Sequence, residues 1–74
     1  MPLHFFHCTN GVDLVIDRRG RRIRPQQIER FAAHVAGTLM NGLPNETDWS
    51  EWLVNVYDSA GSVVAILPFA RSNA

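Results

Sequence analysis

The clearest pattern in the chain is an apolar stripe across residues 25–40. Its members recur at i, i+3, i+4, i+7, i+8 and i+11, the spacing of one face of an α-helix. The opposite side carries Arg30, Ala33 and Gly37 and is expected to face water. Since one helix cannot bury its own stripe, the pattern predicts a second layer against it. The stripe consists of Ile28, Phe31, Ala32, Val35, Ala36 and Leu39.

Local signals place the ends of this helix. Pro25 suits the first helical position, although Arg24 before it is a poor N-cap. Gly42 suits the C-terminal cap, and Pro44 prevents the helix from continuing.

Two stretches before the helix predict a β-hairpin. Residues 3–8 and 12–17 read as strands around the turn Thr9-Asn10-Gly11. A three-residue loop predicts that Cys8, Phe6 and His4 pair with Val12, Leu14 and Ile16, and that these six share the face under the helix. The face turned away from the helix would then carry Leu3, Phe5, His7, Asp13, Val15 and Asp17.

Two turns of the form Asp-x-x-Gly follow strands. Asp17 and Gly20 bound the first, and Asp58 and Gly61 bound the second. Asp is favoured at the first position of such a turn and Gly at the fourth, so both glycines are expected at positive φ. Residues 21–24 would then return as a short edge strand with Ile23 turned inward.

The C-terminal part predicts a second hairpin, with strands at 52–58 and 62–69. Its turn predicts the pairs Tyr57–Val63, Val56–Val64 and Val54–Ile66. One face is then wholly apolar, and the other face also carries large apolar residues. The first holds Trp52, Val54, Val56, Val64 and Ile66; the second holds Leu53, Asn55, Tyr57, Val63, Ala65, Leu67 and Phe69.

Together these elements predict an α+β domain in the order β-β-α-β-β. An antiparallel sheet of four strands, or five with the edge strand, would carry one helix on one face, and the order of the two hairpins is open. One domain would span 1–74, with a frayed tail at 71–74. The predicted core is Phe6, Leu14, Phe31, Val35, Leu39, Val54, Val56 and Ile66.

Composition narrows the classes of protein. Seven arginines balance seven acidic residues, which argues against a general polyanion binder and leaves association unopposed by charge. A lone cysteine, Cys8, can form no internal disulfide. With no signal-like N-terminus and no apolar run of the ~20 residues that a membrane helix needs, we expect a cytoplasmic protein without a membrane partner.

The order of these features resembles a family of small bacterial proteins. The opening MPLHFFH, the two Asp-x-x-Gly turns, the amphipathic helix between them and the ending Leu67-Pro68-Phe69 carry the resemblance. Members typically open with PRYFFH and carry two D-x-x-G turns. The family is a domain of unknown function, so the resemblance implies a small α+β fold and no catalytic residues. Members commonly carry acidic residues around the first turn, whereas this chain reads RRGRRIR.

That arginine run is the first candidate site. Guanidinium groups offer planar forks of donors that suit phosphates, but the run lacks the interleaved aromatic residues that stack on bases. A solvated turn balanced by nearby acids is the favoured interpretation, and nucleic-acid or phosphate binding is the alternative function. The residues are Arg18, Arg19, Arg21, Arg22 and Arg24.

Histidines and the cysteine of the first strand are the other polar candidates. His4, His7 and Cys8 resemble metal ligands by spacing, but alternation along a strand points His7 away from the other two. His7 opposite Asp13 could form a general-base pair, although no nucleophile accompanies it. We therefore expect no metal, no cofactor and no enzymatic activity.

The apolar face away from the helix supports the leading hypothesis. A contiguous apolar patch in water usually marks an interface. We expect a non-enzymatic interaction module that self-associates as a homodimer through this face or through the edge of the second hairpin. The predicted interface is Phe5, Val15, Leu53, Tyr57, Val63, Leu67 and Phe69.

Overall fold

The computed structural model describes residues 1–43 and 47–69. Across these ranges one helix packs on one face of an antiparallel sheet, which confirms the predicted α+β class. The tail predicted at 71–74 and the helix stop predicted at Pro44 lie outside the described residues. In chain order the elements are β1 (Leu3–Thr9), β2 (Leu14–Val15), β3 (Arg21–Arg22), a 3₁₀ turn (Pro25–Gln27), α1 (Ile28–Asn41), β4 (Leu53–Asp58) and β5 (Val63–Pro68).

The strand order, left open by the sequence, is β2-β1-β4-β5. The two hairpins meet where β1 pairs antiparallel with β4 over six residues, from His4 opposite Asp58 to Thr9 opposite Leu53. On its other side β1 pairs with β2 near its C-terminal end and with β3 near its N-terminal end. Strand β1 is therefore central, and β5 forms one edge of the sheet.

Helix α1 lies on the sheet through the predicted stripe. Ala32 and Ala36 are buried, and the larger members of the stripe pack half-buried around them. The Arg24 N–H donates to Gln27 Oε1 at 2.9 Å, so the side chain of Gln27 compensates for the poor N-cap. At the other end the Gly42 N–H donates to the Leu39 carbonyl at 3.1 Å.

The first hairpin departs from the predicted register. Its loop spans four residues, 10–13, because Asn10 Oδ1 accepts the N–H groups of Val12 and Asp13 at 2.8 and 2.6 Å. Cys8 consequently pairs with Val15, and Thr9 with Leu14. The partner of Cys8 has thus moved from Val12 to Val15, a shift by an odd number of residues, which exchanges the two faces of the strand. Val15 therefore lies on the helix side of the sheet, and Leu14 is 57% exposed. The prediction that Leu14 lies in the core is wrong.

The second hairpin contains an irregularity that the sequence did not reveal. Tyr57 pairs with Val63 as predicted, but Val56 then pairs with Ala65, so Val64 is an extra residue. Such a bulge exchanges the faces of every later residue. Leu67 therefore lies opposite Val54 on the helix side, and the predicted core residue Ile66 is 57% exposed on the other face.

The core lies between α1 and the inner face of β1 and β4. Phe6, Val54 and Val56 are buried as predicted, while Phe31, Val35 and Leu39 pack half-buried against them. At one end Trp49, Trp52 and Phe69 form an aromatic cluster, with ring centroids 5.3–5.7 Å apart. Phe69 is thus a core residue, and its predicted place on the outer face is wrong. No helix in the described ranges is long and apolar enough to cross a membrane. Among the described residues, the buried apolar ones are Phe6, Cys8, Ile23, Ala32, Ala36, Trp52, Val54, Val56 and Phe69.

Candidate functional site: a helix-side groove and an outer apolar patch

The edge beside β1 is interrupted by the first Asp-x-x-Gly turn. His4 pairs with Arg21, and Cys8 pairs with Val15. Between these two pairs, three residues of β1 (5–7) lie beside five residues of the neighbouring segment (16–20). The two surplus residues are Arg18 and Arg19, which project from the sheet as the middle of the turn. The break gives this edge its irregular shape.

Asp17 replaces the backbone pairing that the break removes. Its Oδ2 accepts the Phe6 N–H of β1 at 3.1 Å, and its Oδ1 accepts the N–H groups of Arg19 and Gly20 at 3.1 and 3.0 Å. The Asp17 N–H donates to His7 Nδ1 at 3.0 Å. Burial alone would raise the pKa of Asp17, but these three N–H donors and nearby His7 hold that pKa below its ordinary value.

Gly20 completes the turn at φ +73°, and Gly61 occupies φ +88° in the second turn, so the prediction of positive φ is confirmed at both. The two sites differ in their surroundings. A Cβ on Gly20 would lie 2.9 Å from Phe5 Cε2 and 3.0 Å from the His4 carbonyl oxygen, whereas one on Gly61 would meet nothing within 4 Å. Position 20 is therefore packed against the sheet, whereas position 61 is open.

The structure divides the predicted arginine cluster. The Arg21 guanidinium carbon lies 4.6 Å from the centroid of the Phe31 ring, on the helix side. Arg22 pairs with Leu3, so it projects from the other face, and its Nη1 donates to the Met1 carbonyl at 3.3 Å. Arg18 and Arg19 occupy the turn, and Arg24 precedes the 3₁₀ turn. The five side chains are exposed but do not form one surface.

A groove of about 480 Å³ opens between α1 and this irregular edge. We call it the helix-side groove. Strand β2, which borders it, is only two residues long. The charged residues that line the groove are Asp17, Arg19 and Arg21. Most of the remaining lining is apolar: Phe6, Cys8, Val15, Ile16, Phe31, Val35, Leu39 and Leu43, with His34 and Thr38 on the helix.

The polar residues of β1 do not converge. His4 and Cys8 are buried on the helix side, whereas His7 lies on the opposite face, with its ring centroid 6.4 Å from that of Phe5 and 5.2 Å from that of Tyr57. His7 contacts Asp17 rather than Asp13, so the predicted His7–Asp13 pair does not form. Burial, and then the charge of Asp17, raises the pKa of Cys8 to about 11, which keeps its thiol protonated near neutral pH.

The face opposite the helix carries an apolar surface, which we call the outer patch: Phe5, Leu53, Tyr57, Val63 and Ile66. Phe5, Tyr57 and Val63 are aligned across β1, β4 and β5. Leu53 follows on β4, and Ile66 lies opposite Asn55. Four of the predicted interface residues thus lie on this face. Val15, Leu67 and Phe69 do not, because of the two register shifts and the burial of Phe69.

The structure is a small α+β domain. An amphipathic helix lies across one face of an antiparallel sheet, and the two hairpins meet at the centre of that sheet. The chain belongs to the family described as Domain of unknown function (DUF6894), whose model matches residues 3–70. Comparison with curated proteins and with solved structures gives no match. Membership agrees with the resemblance to a family of unknown function; the PRYFFH opening and paired D-x-x-G turns as family features stay predictions.

Proposed function

We propose that this protein is a non-enzymatic, cytoplasmic interaction module that forms a homodimer through the outer patch. The observation that carries this proposal is the exposure of Leu53, Val63 and Ile66 beside the Phe5 and Tyr57 rings on one face. Within residues 1–43 and 47–69, the helix covers only the opposite face. Apolar surface left in water forgoes about 25 cal/mol for each Å² that an interface could bury.

The outer patch is a better interface than the free edge of β5. Phe69 donates its N–H to the Trp52 carbonyl at 3.1 Å, so the alternate residues Pro68 and Ile66 direct their backbone groups away from β4. Pro68 has no N–H to offer a second chain, and the bulge at Val64 distorts the other end of the strand. Proline and bulges both limit edge-to-edge pairing. Contact through the face is therefore favoured.

Symmetry and charge support a second copy as the partner. A two-fold dimer needs one self-complementary patch, and a sheet face of apolar side chains can meet its own copy. The chain has a formal net charge of zero, so no long-range repulsion opposes association.

Analytical ultracentrifugation over the micromolar range tests the dimer. Leu53→Glu combined with Ile66→Glu should yield a folded monomer, because four carboxylates would enter the contact. Val12→Glu is the matched control, since Val12 lies in the first loop and is 90% exposed away from the patch. A wild type that sediments as a monomer at high micromolar concentration would refute the proposal, as would a double variant that stays dimeric.

Polyanion binding through the arginine turn is a second candidate. Its support is that Arg18 and Arg19 project from the sheet and that all five arginine side chains are exposed. Replacing Arg18, Arg19, Arg21 and Arg22 by Ser should abolish retention on a polyanion column at low salt. Exposed charges contribute little to stability, so the fold is expected to survive, and a thermal melt checks this because Arg21 also contacts Phe31. No retention of the wild type would exclude this candidate.

A further inference from the structure

We propose that the helix-side groove binds a small amphipathic anion: an apolar chain that ends in a carboxylate, with Arg19 and Arg21 at the carboxylate. This site is separate from the proposed dimer interface, because the groove and the outer patch lie on opposite faces of the sheet. Its support is the combination of an apolar wall and an anion-binding end in one cavity.

The wall of the groove fits an apolar chain. Its volume of about 480 Å³ falls within the range of roughly 300–1,000 Å³ that is usual for small-molecule sites. Val15, Ile16 and Leu43 at its rim keep 44%, 51% and 41% of their surface exposed. A bound chain would remove these side chains from water, which supplies the driving force for binding.

The polar end fits a carboxylate. Stacking on Phe31 holds the face of the Arg21 guanidinium, which leaves its N–H edge available as a planar fork for two oxygens. Arg19, two residues before Arg21 in the chain, lines the same cavity. Neither guanidinium forms an ion pair with any residue of the part of the chain that the structure describes.

Asp17 is the only acid among the described residues that line the groove, and its oxygens are already engaged. One accepts the Phe6 N–H, and the other accepts the N–H groups of Arg19 and Gly20. Its charge is thus directed at backbone N–H groups of β1 and of the turn. Two guanidiniums against one engaged carboxylate make the polar lining of the cavity electropositive; His34, whose ring centroid lies 5.7 Å from that of Phe31, also lines it.

The other arginines favour a small ligand over an extended polyanion. Arg18, Arg22 and Arg24 do not line the cavity, and Arg22 projects from the opposite face of the sheet. A phosphate backbone would contact the exposed turn and leave the apolar wall empty. A single anionic head joined to an apolar tail uses both parts of the groove.

Isothermal titration calorimetry with sodium decanoate, below its micelle concentration, tests the proposal. Decanol supplies the tail without the charge and acetate the charge without the tail, so both should bind at least about tenfold more weakly, a difference of 1.4 kcal/mol. Arg19→Gln and Arg21→Gln should each weaken decanoate binding several-fold. Arg18→Gln, next to Arg19 in the turn but outside the cavity, should leave it unchanged.

Several results would overturn the proposal. No decanoate binding at millimolar concentration is one, and equal affinity for decanol and decanoate in the wild type is another. If decanoate dissociates a dimer that survives Leu53→Glu with Ile66→Glu, the groove is a protein interface instead. Because Arg21 also contacts Phe31, the thermal melt of each variant is measured, and Arg19→Gln alone decides the outcome if Arg21→Gln unfolds.

Discussion

Replacement of Asp17 by Asn tests the idea that one carboxylate holds the broken edge of the sheet. Asp17 uses both oxygens, one for the Phe6 N–H and one for the turn. In the amide, a single oxygen can still accept from Arg19 and Gly20, but the NH₂ group then faces the Phe6 N–H. Two donors cannot pair, so a strand amide loses its acceptor.

The structure supplies a matched control in the second turn. Asp58 Oδ1 accepts the N–H groups of Ala60 and Ser62 at 3.0 and 2.9 Å, and within residues 1–43 and 47–69 its other oxygen accepts no strand amide. Asp58→Asn can therefore keep both bonds. A hydrogen bond to a charged group contributes about 1.5–3 kcal/mol, less where water reaches it. We expect Asp17→Asn to cost about 1–2 kcal/mol more than Asp58→Asn, a large share of the ~5 kcal/mol available to a small domain.

Urea unfolding followed by the fluorescence of Trp49 and Trp52 measures both variants. The pKa of Asp17 is lowered in the fold, so its contribution is present above the unfolded value of about 3.9 and is lost as pH falls through the folded value. The difference in free energy of unfolding between the wild type and Asp17→Asn should therefore become smaller below about pH 4. Equal losses for the two Asn variants at pH 7 would refute this account of the edge.

Two further predictions concern the turns and the core, and thermal melts measure both. Gly20→Ala and Gly61→Ala should each lower the free energy of unfolding by about 1–2 kcal/mol, because both positions have a left-handed backbone. Gly20→Ala should lower it further, because its Cβ would meet the His4 carbonyl oxygen and the Phe5 ring. Equal losses would show that the first turn relaxes freely. Leu39→Ala should lower the free energy of unfolding by about 2 kcal/mol, the lower end for a buried leucine, because Leu39 is half-buried. Leu14 is exposed, so Leu14→Ala should change it by no more than about 0.5 kcal/mol. Similar losses would place Leu14 back in the core.

Periodic features of the fold could be predicted from the sequence. The stripe of α1 depends on a 3.6-residue repeat and tolerates errors in its ends, so Phe31, Val35 and Leu39 were placed correctly. The turns at Asp17 and Asp58 also followed from local chemistry, since Asp and Gly at fixed spacing specify a backbone shape. Each of these inferences needs only a few neighbouring residues.

Register could not be predicted in the same way. One residue more or less in a loop exchanges the faces of a strand, and both faces of these hairpins are apolar, so the pattern did not exclude the wrong choice. Asn10 carried a usable signal, because its side chain can close a four-residue loop by accepting two backbone N–H groups. The bulge at Val64 carried none in a run of uniformly apolar residues. The groove was missed for the same reason, because Val15 reaches its lining only in the observed register.

Strand β1 connects the two proposed sites. Its alternate residues Phe6 and Cys8 line the helix-side groove, while Phe5 in the outer patch and the neighbouring His7 lie on the opposite face. A ligand and a second copy would therefore contact different side chains of one strand and would not compete for space. Coupling between them would require β1 to shift, yet β4 pairs with it along one side and Asp17 ties it on the other. Decanoate binding should consequently leave the dimer dissociation constant unchanged in the wild type, and the Asp17→Asn variant is where coupling should first become measurable.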